Sequence, residues 1–234
     1  MEFQNKVVMV TGAAGSLGKA VAAAYSAAGA SLVLVDVNAK VLAEAYHAEK
    51  APHLCLAADL TDPASIRDAV SQAQGKFGPI DVLCNIAGGF RMGEPVHETS
   101  AETWALMMNM NTMTMLNTVQ AVVPVMLANG GGKIVNIGAG AGQRGQAHMG
   151  AYSASKSVVI RLTESMAAEL REQNINVNCV LPSIIDTPQN RADMPDADPK
   201  RWVAPMDLAQ VILFLTSTSG RAIHGAALPV SGLS

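Results

Sequence analysis

Short apolar runs rich in β-branched residues alternate along this chain with longer stretches in which alanine, leucine and methionine recur at helical spacing. Val7 to Val10 is the first such run and reads as a buried strand. It breaks at Thr11 to Gly18, and Lys19 to Ala28 follows as an alanine-rich helix closing at Gly29. Ser31 to Val35 predicts a second strand ending at Asp36, Ala39 to Lys50 a second helix, and His53 to Ala57 a third strand. Asp62-Pro63 puts a cap residue ahead of proline and so opens a third helix. Ile80 to Cys84 predicts strand four, followed by the turn Asn85 to Gly89 and a loop to Ser100. Two helices are expected next, Ala101 to Met108 and Thr112 to Ala128, stopped by Gly130 to Gly132. Lys133 to Ile137 predicts strand five, Tyr152 to Gln173 a long helix, and Asn176 to Leu181 strand six, halted by Pro182. The polar, proline-containing segment 183–205 reads as a loop or lid over a site. Asp207 to Ser217 and Ala226 to Val230 supply a last helix and a last strand.

Strands and helices alternating in this way predict an α/β fold, a doubly wound parallel sheet of about seven strands with helices on both faces. The chain has 234 residues, half of them hydrophobic and 15% charged, enough for a sizeable core and too little charge for disorder. With no repeat, low-complexity tract or linker, 1–234 reads as a single domain. A net charge of -3 argues against a nucleic-acid or acidic-membrane partner. Cys55, Cys84 and Cys179 each fall in a predicted strand, an odd number without close spacing, which suggests a reducing compartment and no metal cluster. The first fifteen residues lack a secretory layout and no apolar stretch approaches membrane-spanning length, so the expectation is a cytoplasmic protein.

The break after the first strand is where chemistry enters. A strand, a glycine-rich turn and a helix, in that order, make the context in which a dinucleotide fingerprint has meaning. Gly12, Gly15 and Gly18 let the backbone turn tightly and let its N–H groups approach a pyrophosphate, helped by the positive end of the following helix. A Walker phosphate loop does not fit, because Gly18-Lys19 is followed by Ala20. Asp36 ends the second strand, roughly 20 residues past the turn, where an acid bonds the adenosine ribose hydroxyls. A 2′-phosphate there would meet a carboxylate with no arginine beside it, which predicts NAD(H) over NADP(H). Further along, Tyr152 and Lys156 stand four residues apart at the head of a predicted helix and so share a face. A desolvated ammonium beside the phenol is expected to lower the tyrosine pKa and fit it for proton exchange with a carbonyl or alcohol oxygen.

With these residues the chain resembles the short-chain dehydrogenase/reductase family across nearly its whole length, and with it a Rossmann-type fold. The motifs are the turn Thr11 to Gly18, Asp59 after strand three, Asn85-Ile86-Ala87-Gly88 after strand four, and the Tyr152/Lys156 pair. The resemblance implies that Gly12, Gly15, Ser16, Leu17 and Gly18 cradle the pyrophosphate, that Asp59 and Leu60 border the adenine, and that Asn85, Ala87 and Gly88 flank the cofactor. It makes Tyr152 the acid/base, Lys156 the holder of the nicotinamide ribose, and Asn111 a proton link to solvent. Pro182 to Thr187 is similar to the family turn that holds the nicotinamide amide, with Thr187 as its hydroxyl. The family also implies a homodimer or homotetramer, packed through the methionine-rich helix around Asn111 and the helix from Tyr152.

Three departures from the family pattern stand out. Ser16 replaces the usual middle glycine, Ser183 replaces the glycine after proline, and Ala139 stands thirteen residues before Tyr152, where the family has a substrate-binding serine. Quinonoid dihydropteridine reductases keep the tyrosine and lysine without that serine, and they resemble this chain locally over 186–198 and 84–89. The expected activity is therefore hydride transfer between NAD(H) and a small carbonyl or quinonoid substrate. An ordinary ketone or 3-oxoacyl reductase and a non-catalytic NAD-binding sensor or structural subunit are the alternatives.

Overall fold

The computed structural model describes residues 2–47 and 52–234. Seven strands form one sheet: β1 (Val7–Thr11), β2 (Ser31–Asp36), β3 (His53–Ala57), β4 (Val82–Asn85), β5 (Gly132–Ile137), β6 (Ile175–Pro182) and β7 (Ala227–Val230). Their order is β3-β2-β1-β4-β5-β6-β7, every neighbouring pair parallel. The strand order reverses between β1 and β4, and at that switch point the carboxyl ends of two adjacent strands open a crevice for a ligand.

The near-continuous apolar runs follow from burial on both faces, since successive side chains point to opposite sides. Val8, Val10, Leu32, Leu34, Val82 and Cys84 face α1 (Ser16–Ala27) and α8 (Pro205–Thr216), packing with Val21, Tyr25, Leu208 and Ile212. Met9, Val33, Val35 and Leu83 face the other way, onto α3 (Pro63–Phe77), α5 (Thr114–Ala128) and α6 (Gly150–Leu170), against Ile66, Val122, Met126 and Ala167. All three cysteines lie in strands and are free thiols. No helix among the described residues is long and apolar enough to cross a membrane.

Three expectations are corrected, and a fourth falls partly outside the described residues. Helix α1 begins at Ser16, three residues before Lys19, so the end of the glycine turn is already the first helical turn. Helix α2 (Ala39–Tyr46) is capped by the Asn38 side chain, and its predicted end at Lys50 lies outside the described residues. The two helices expected over 101–128 are continuous: α4 (Ala101–Met108) runs through a π-turn at Asn109–Met113 into α5. An inserted residue in the helical ladder looks like a break in periodicity yet does not end the helix. The 183–205 segment is not a bare loop. It holds α7 (Pro188–Asp193) and a 3₁₀ turn (Pro199–Arg201), and a parallel bridge between Ile185 and Val203 closes its base.

Candidate active site

The glycine turn sits at the switch point, and its glycines are there for lack of room. Gly12 has φ +62°, and a Cβ on it would lie 2.9 Å from Ala87 Cα. A Cβ on Gly18 would run into the Gly12 carbonyl oxygen and Ala13. Gly15 is the N-cap of α1 and no side chain caps the helix, so the first-turn N–H groups have no side-chain acceptor. A backbone cradle that any Cβ would fill, at an uncapped positive helix end, fits a dinucleotide pyrophosphate. Asp36 Oδ2 accepts the Ala14 N–H at 3.0 Å, which draws its carboxylate to the turn. The Tyr46 hydroxyl donates to the Ala13 carbonyl at 2.7 Å and braces the same turn from α2.

Two tethers bring the remaining cofactor-side residues into line. Thr11 Oγ1 accepts from the N–H groups of Ile86 and Ala87 at 3.0 and 3.2 Å, joining the end of β1 to the Asn85–Gly88 turn. Asn117 on α5 donates to the carbonyls of Leu60 and Thr61 at 2.9 and 3.2 Å and fixes the turn after β3. The Thr61 hydroxyl and N–H, both donating to Asp59, hold its carboxyl below the usual range. Asn85 donates to Asn136 across the sheet, at 2.9 Å. Beyond Pro182, Thr187 Oγ1 caps α7 by accepting the Asn190 N–H. The Ser183 hydroxyl donates to the Ser231 carbonyl at 2.7 Å, tying the segment after β7 to the end of β6.

At the other end, Tyr152 and Lys156 occupy consecutive turns at the head of α6. Lys156 is buried and its Nζ donates to the Ile137 carbonyl at 2.9 Å, at the end of β5. Burial pulls the ammonium down to about 8. Burial also pushes the Tyr152 phenol up to about 12, the opposite of the lowering expected from the lysine. Nζ lies 6.0 Å from the tyrosine ring centroid and is bound elsewhere, so desolvation outweighs the charge.

Asn111 lies in the π-turn and is 2% exposed. Its Oδ1 accepts the Gly89 N–H at 2.9 Å, and its Nδ2 donates to the Gly89 carbonyl at 3.0 Å and to Ser155 Oγ at 3.1 Å. Ser155 in turn donates to the Tyr152 carbonyl. The solvent link that the resemblance assigns to Asn111 therefore does not run through a free amide. Gly88 is the meeting point: a Cβ there would stand 2.7 Å from Asn111 Oδ1 and 3.4 Å from Lys156 Nζ. Ala139 is buried ahead of the turn Gly140–Gly142, which packs on α6, and 138–142 holds no hydroxyl.

Residues 6–198 match the family described as short chain dehydrogenase. The chain belongs to the short-chain dehydrogenase/reductase family. It is 38% identical over 188 residues to a sorbitol dehydrogenase of Cereibacter sphaeroides, covering 80% of this chain and 73% of that one. It is 32% identical over 247 residues to the 3-oxoacyl-[acyl-carrier-protein] reductase FabG of Thermotoga maritima, covering 99% and 98%. Among solved structures, carveol dehydrogenase from Mycobacterium avium in complex with NAD superposes with a TM-score of 0.91 at 27% identity, over 99% of this chain and 98% of that one. The family is one of oxidoreductases that use nicotinamide cofactors.

Sequence reasoning missed three contributors to this short-chain dehydrogenase/reductase site: Ser155, Asn117 and the Ile137 carbonyl. Ser155 was within reach of it, three residues after Tyr152 on one helix face. The other two act across the fold and leave no local pattern.

Proposed function

We propose that the protein is an NAD(H)-dependent oxidoreductase that interconverts a small carbonyl compound and its alcohol. The observation that carries this reading is the convergence of Lys156 and Asn111 on Gly88, with Tyr152 one helical turn from Lys156. The glycine turn from Gly12 to Gly18 would hold the pyrophosphate, Asp36 the adenosine ribose, and Asp59 and Leu60 the adenine edge. Asn85, Ala87 and Gly88 would line the crevice, Lys156 would bind the second ribose, and Pro182 and Thr187 the carboxamide. A bound nicotinamide supplies or accepts the hydride.

Tyr152 would exchange the proton with the substrate oxygen. With its phenol pushed up to about 12, it is protonated at neutral pH and can donate to the substrate oxygen when a carbonyl is reduced. Asp36 would repel a 2′-phosphate, and its neighbour Val37 is an exposed apolar residue with no charge to offset that, which supports NAD(H). The names of the sorbitol dehydrogenase and the 3-oxoacyl reductase relatives support alcohol–carbonyl chemistry. Ala139 favours a second reading, a quinonoid ring as hydride acceptor, which places less demand on an oxyanion donor. Exposed Trp104, Leu106 and Met113 along the helix through Asn111 suit a homodimer or homotetramer contact, and 183–205 would close over the substrate.

Steady-state assays with NADH and NADPH test this reading. Tyr152→Phe is expected to lower kcat/KM by roughly 10²–10⁴ while NADH still binds. Unchanged activity would remove the tyrosine from the chemistry, and a preference for NADPH would remove Asp36 from cofactor selection. Binding of NADH without turnover of any ketone or quinonoid dihydropterin would favour a sensor or structural role.

A further inference from the structure

We propose that the non-reacting part of the substrate is an apolar ring or branched hydrocarbon body, and that Phe90 selects it. The inference rests on the alcohol–carbonyl reading above and adds the substrate class. Phe90 follows Gly89, whose N–H and carbonyl are both held by Asn111, so its place in the loop is anchored. A side chain on Gly89 would collide with the sulfur of Met110, which leaves Phe90 as the first side chain that can reach out. Its ring meets the Tyr152 ring edge-on, centroids 4.9 Å apart and planes at 88°. That contact is of the favourable T-shaped kind, yet 55% of Phe90 remains exposed. A bare aromatic face thus borders the phenol that would touch the reacting oxygen.

The same loop continues the apolar wall. Met92 and Val96 are exposed, and Val96 seats over Gly150, where a Cβ would lie 2.8 Å from its Cγ2. Beside them a cavity of about 380 Å³ opens between 91–94, the start of α4 and 148–151. Much of its polar lining is already paired within the wall. Glu94 accepts from the Ser100 N–H at 3.0 Å and the Thr103 hydroxyl at 3.1 Å, and Ser100 Oγ accepts the Thr103 N–H. The Thr99 hydroxyl donates to the Pro95 carbonyl, and His148 Nδ1 is bound to the Gly93 carbonyl at 3.1 Å. The exposed heads of Arg91 and Glu102, the His148 Nε2 and the Ser100 hydroxyl hydrogen are left in that lining, and 138–142 adds no hydroxyl.

A polyhydroxylated chain needs a partner for each hydroxyl that it buries, and a wall with few free partners penalises it. A hydrocarbon body asks only for apolar area, and adaptable methionines such as Met92 and Met149 mould to it. Phe90 therefore acts as a specificity residue.

The test compares two small ketones with NADH, cyclohexanone and dihydroxyacetone, on wild type, Phe90→Ala and Phe90→Leu. Wild type is expected to show kcat/KM for cyclohexanone at least ~10-fold above that for dihydroxyacetone. Phe90→Ala is expected to cut that ratio by roughly 10-fold and Phe90→Leu to restore most of it. A ratio that favours dihydroxyacetone, or one indifferent to Phe90, overturns the proposal. Saturation-transfer NMR of both ketones on Tyr152→Phe protein, with and without Phe90→Ala, reads the wall without turnover. Phe90-dependent binding of cyclohexanone supports the wall even where neither ketone is reduced, a result that would sink the oxidoreductase reading alone. Binding unaffected by Phe90→Ala overturns the wall.

Discussion

Asn111 holds Gly89 by both of its backbone polar atoms, accepting the N–H at 2.9 Å and donating to the carbonyl at 3.0 Å. The pairing joins the π-turn between α4 and α5 to the loop that carries Phe90. Its second amide hydrogen reaches Ser155 and, through it, the Tyr152 carbonyl. One buried amide thus fixes the loop on one side of the crevice and the helix on the other. π-Turns of this kind cluster at functional sites because the extra residue redirects a side chain without ending the helix.

Replacing that amide tests the clamp. Asn111→Ala leaves the Gly89 N–H and carbonyl unpaired in a partly buried place, at a cost of up to about 1–3 kcal/mol for each group. Asn111→Asp keeps the acceptor but sets a second oxygen against the Gly89 carbonyl and Ser155, and it adds a buried charge. Asp is therefore expected to destabilise more than Ala in urea unfolding at neutral pH, and both are expected to lower kcat/KM. Asp at or above wild-type stability would show that the clamp is not closed in solution.

Much of this was legible from the chain, for physical reasons that also explain the gaps. Strands buried on both faces announce themselves as apolar runs, and the glycine turn is local, so the sheet, Gly12 and Asp36 could be placed in advance. Helical spacing put Lys156 beside Tyr152, but the direction of the tyrosine shift depends on burial, which no spacing reports. Thr187-Pro188 carries the same cap-before-proline signal as Asp62-Pro63, and the six-residue helix it opens was hidden by polar composition. The tethers from Asn117 to Leu60 and from Asn111 to Gly89 span 57 and 22 positions, so they exist only once the sheet has assembled.

The buried ammonium of Lys156 makes stability depend on pH in a set direction. Its folded value, about 8, lies below the ordinary 10.5, so between those values the unfolded chain binds more protons. Stability must then rise with pH across that window, and below it the full cost of burying the charge is present. Lys156→Met removes this dependence. The unfolding free energy of wild type minus that of Lys156→Met is expected to increase by about 2 kcal/mol between pH 7 and pH 10. Denaturant melts at the two pH values measure it, and a flat difference would mean that the ammonium is hydrated in the folded state.

Ala139 stands where the family resemblance has a substrate-binding serine, and that position can be tested by rate. It precedes the turn Gly140–Gly142, which packs so closely on α6 that a Cβ on Gly142 would lie 2.9 Å from the Lys156 carbonyl. A serine at 139 would place a hydroxyl at the head of this turn, where the family resemblance has its substrate-binding serine. Losing one preorganised donor to a developing oxyanion costs roughly 10²–10³ in rate, so restoring one should recover part of that. Ala139→Ser is expected to raise kcat for reduction of a plain ketone by about 10-fold or more, with a smaller change for a quinonoid acceptor. Stopped-flow oxidation of NADH with each substrate separates the two. An equal gain on both would assign the serine to general positioning, and no gain on the ketone would mean that the wild-type site already supplies its donor from another residue.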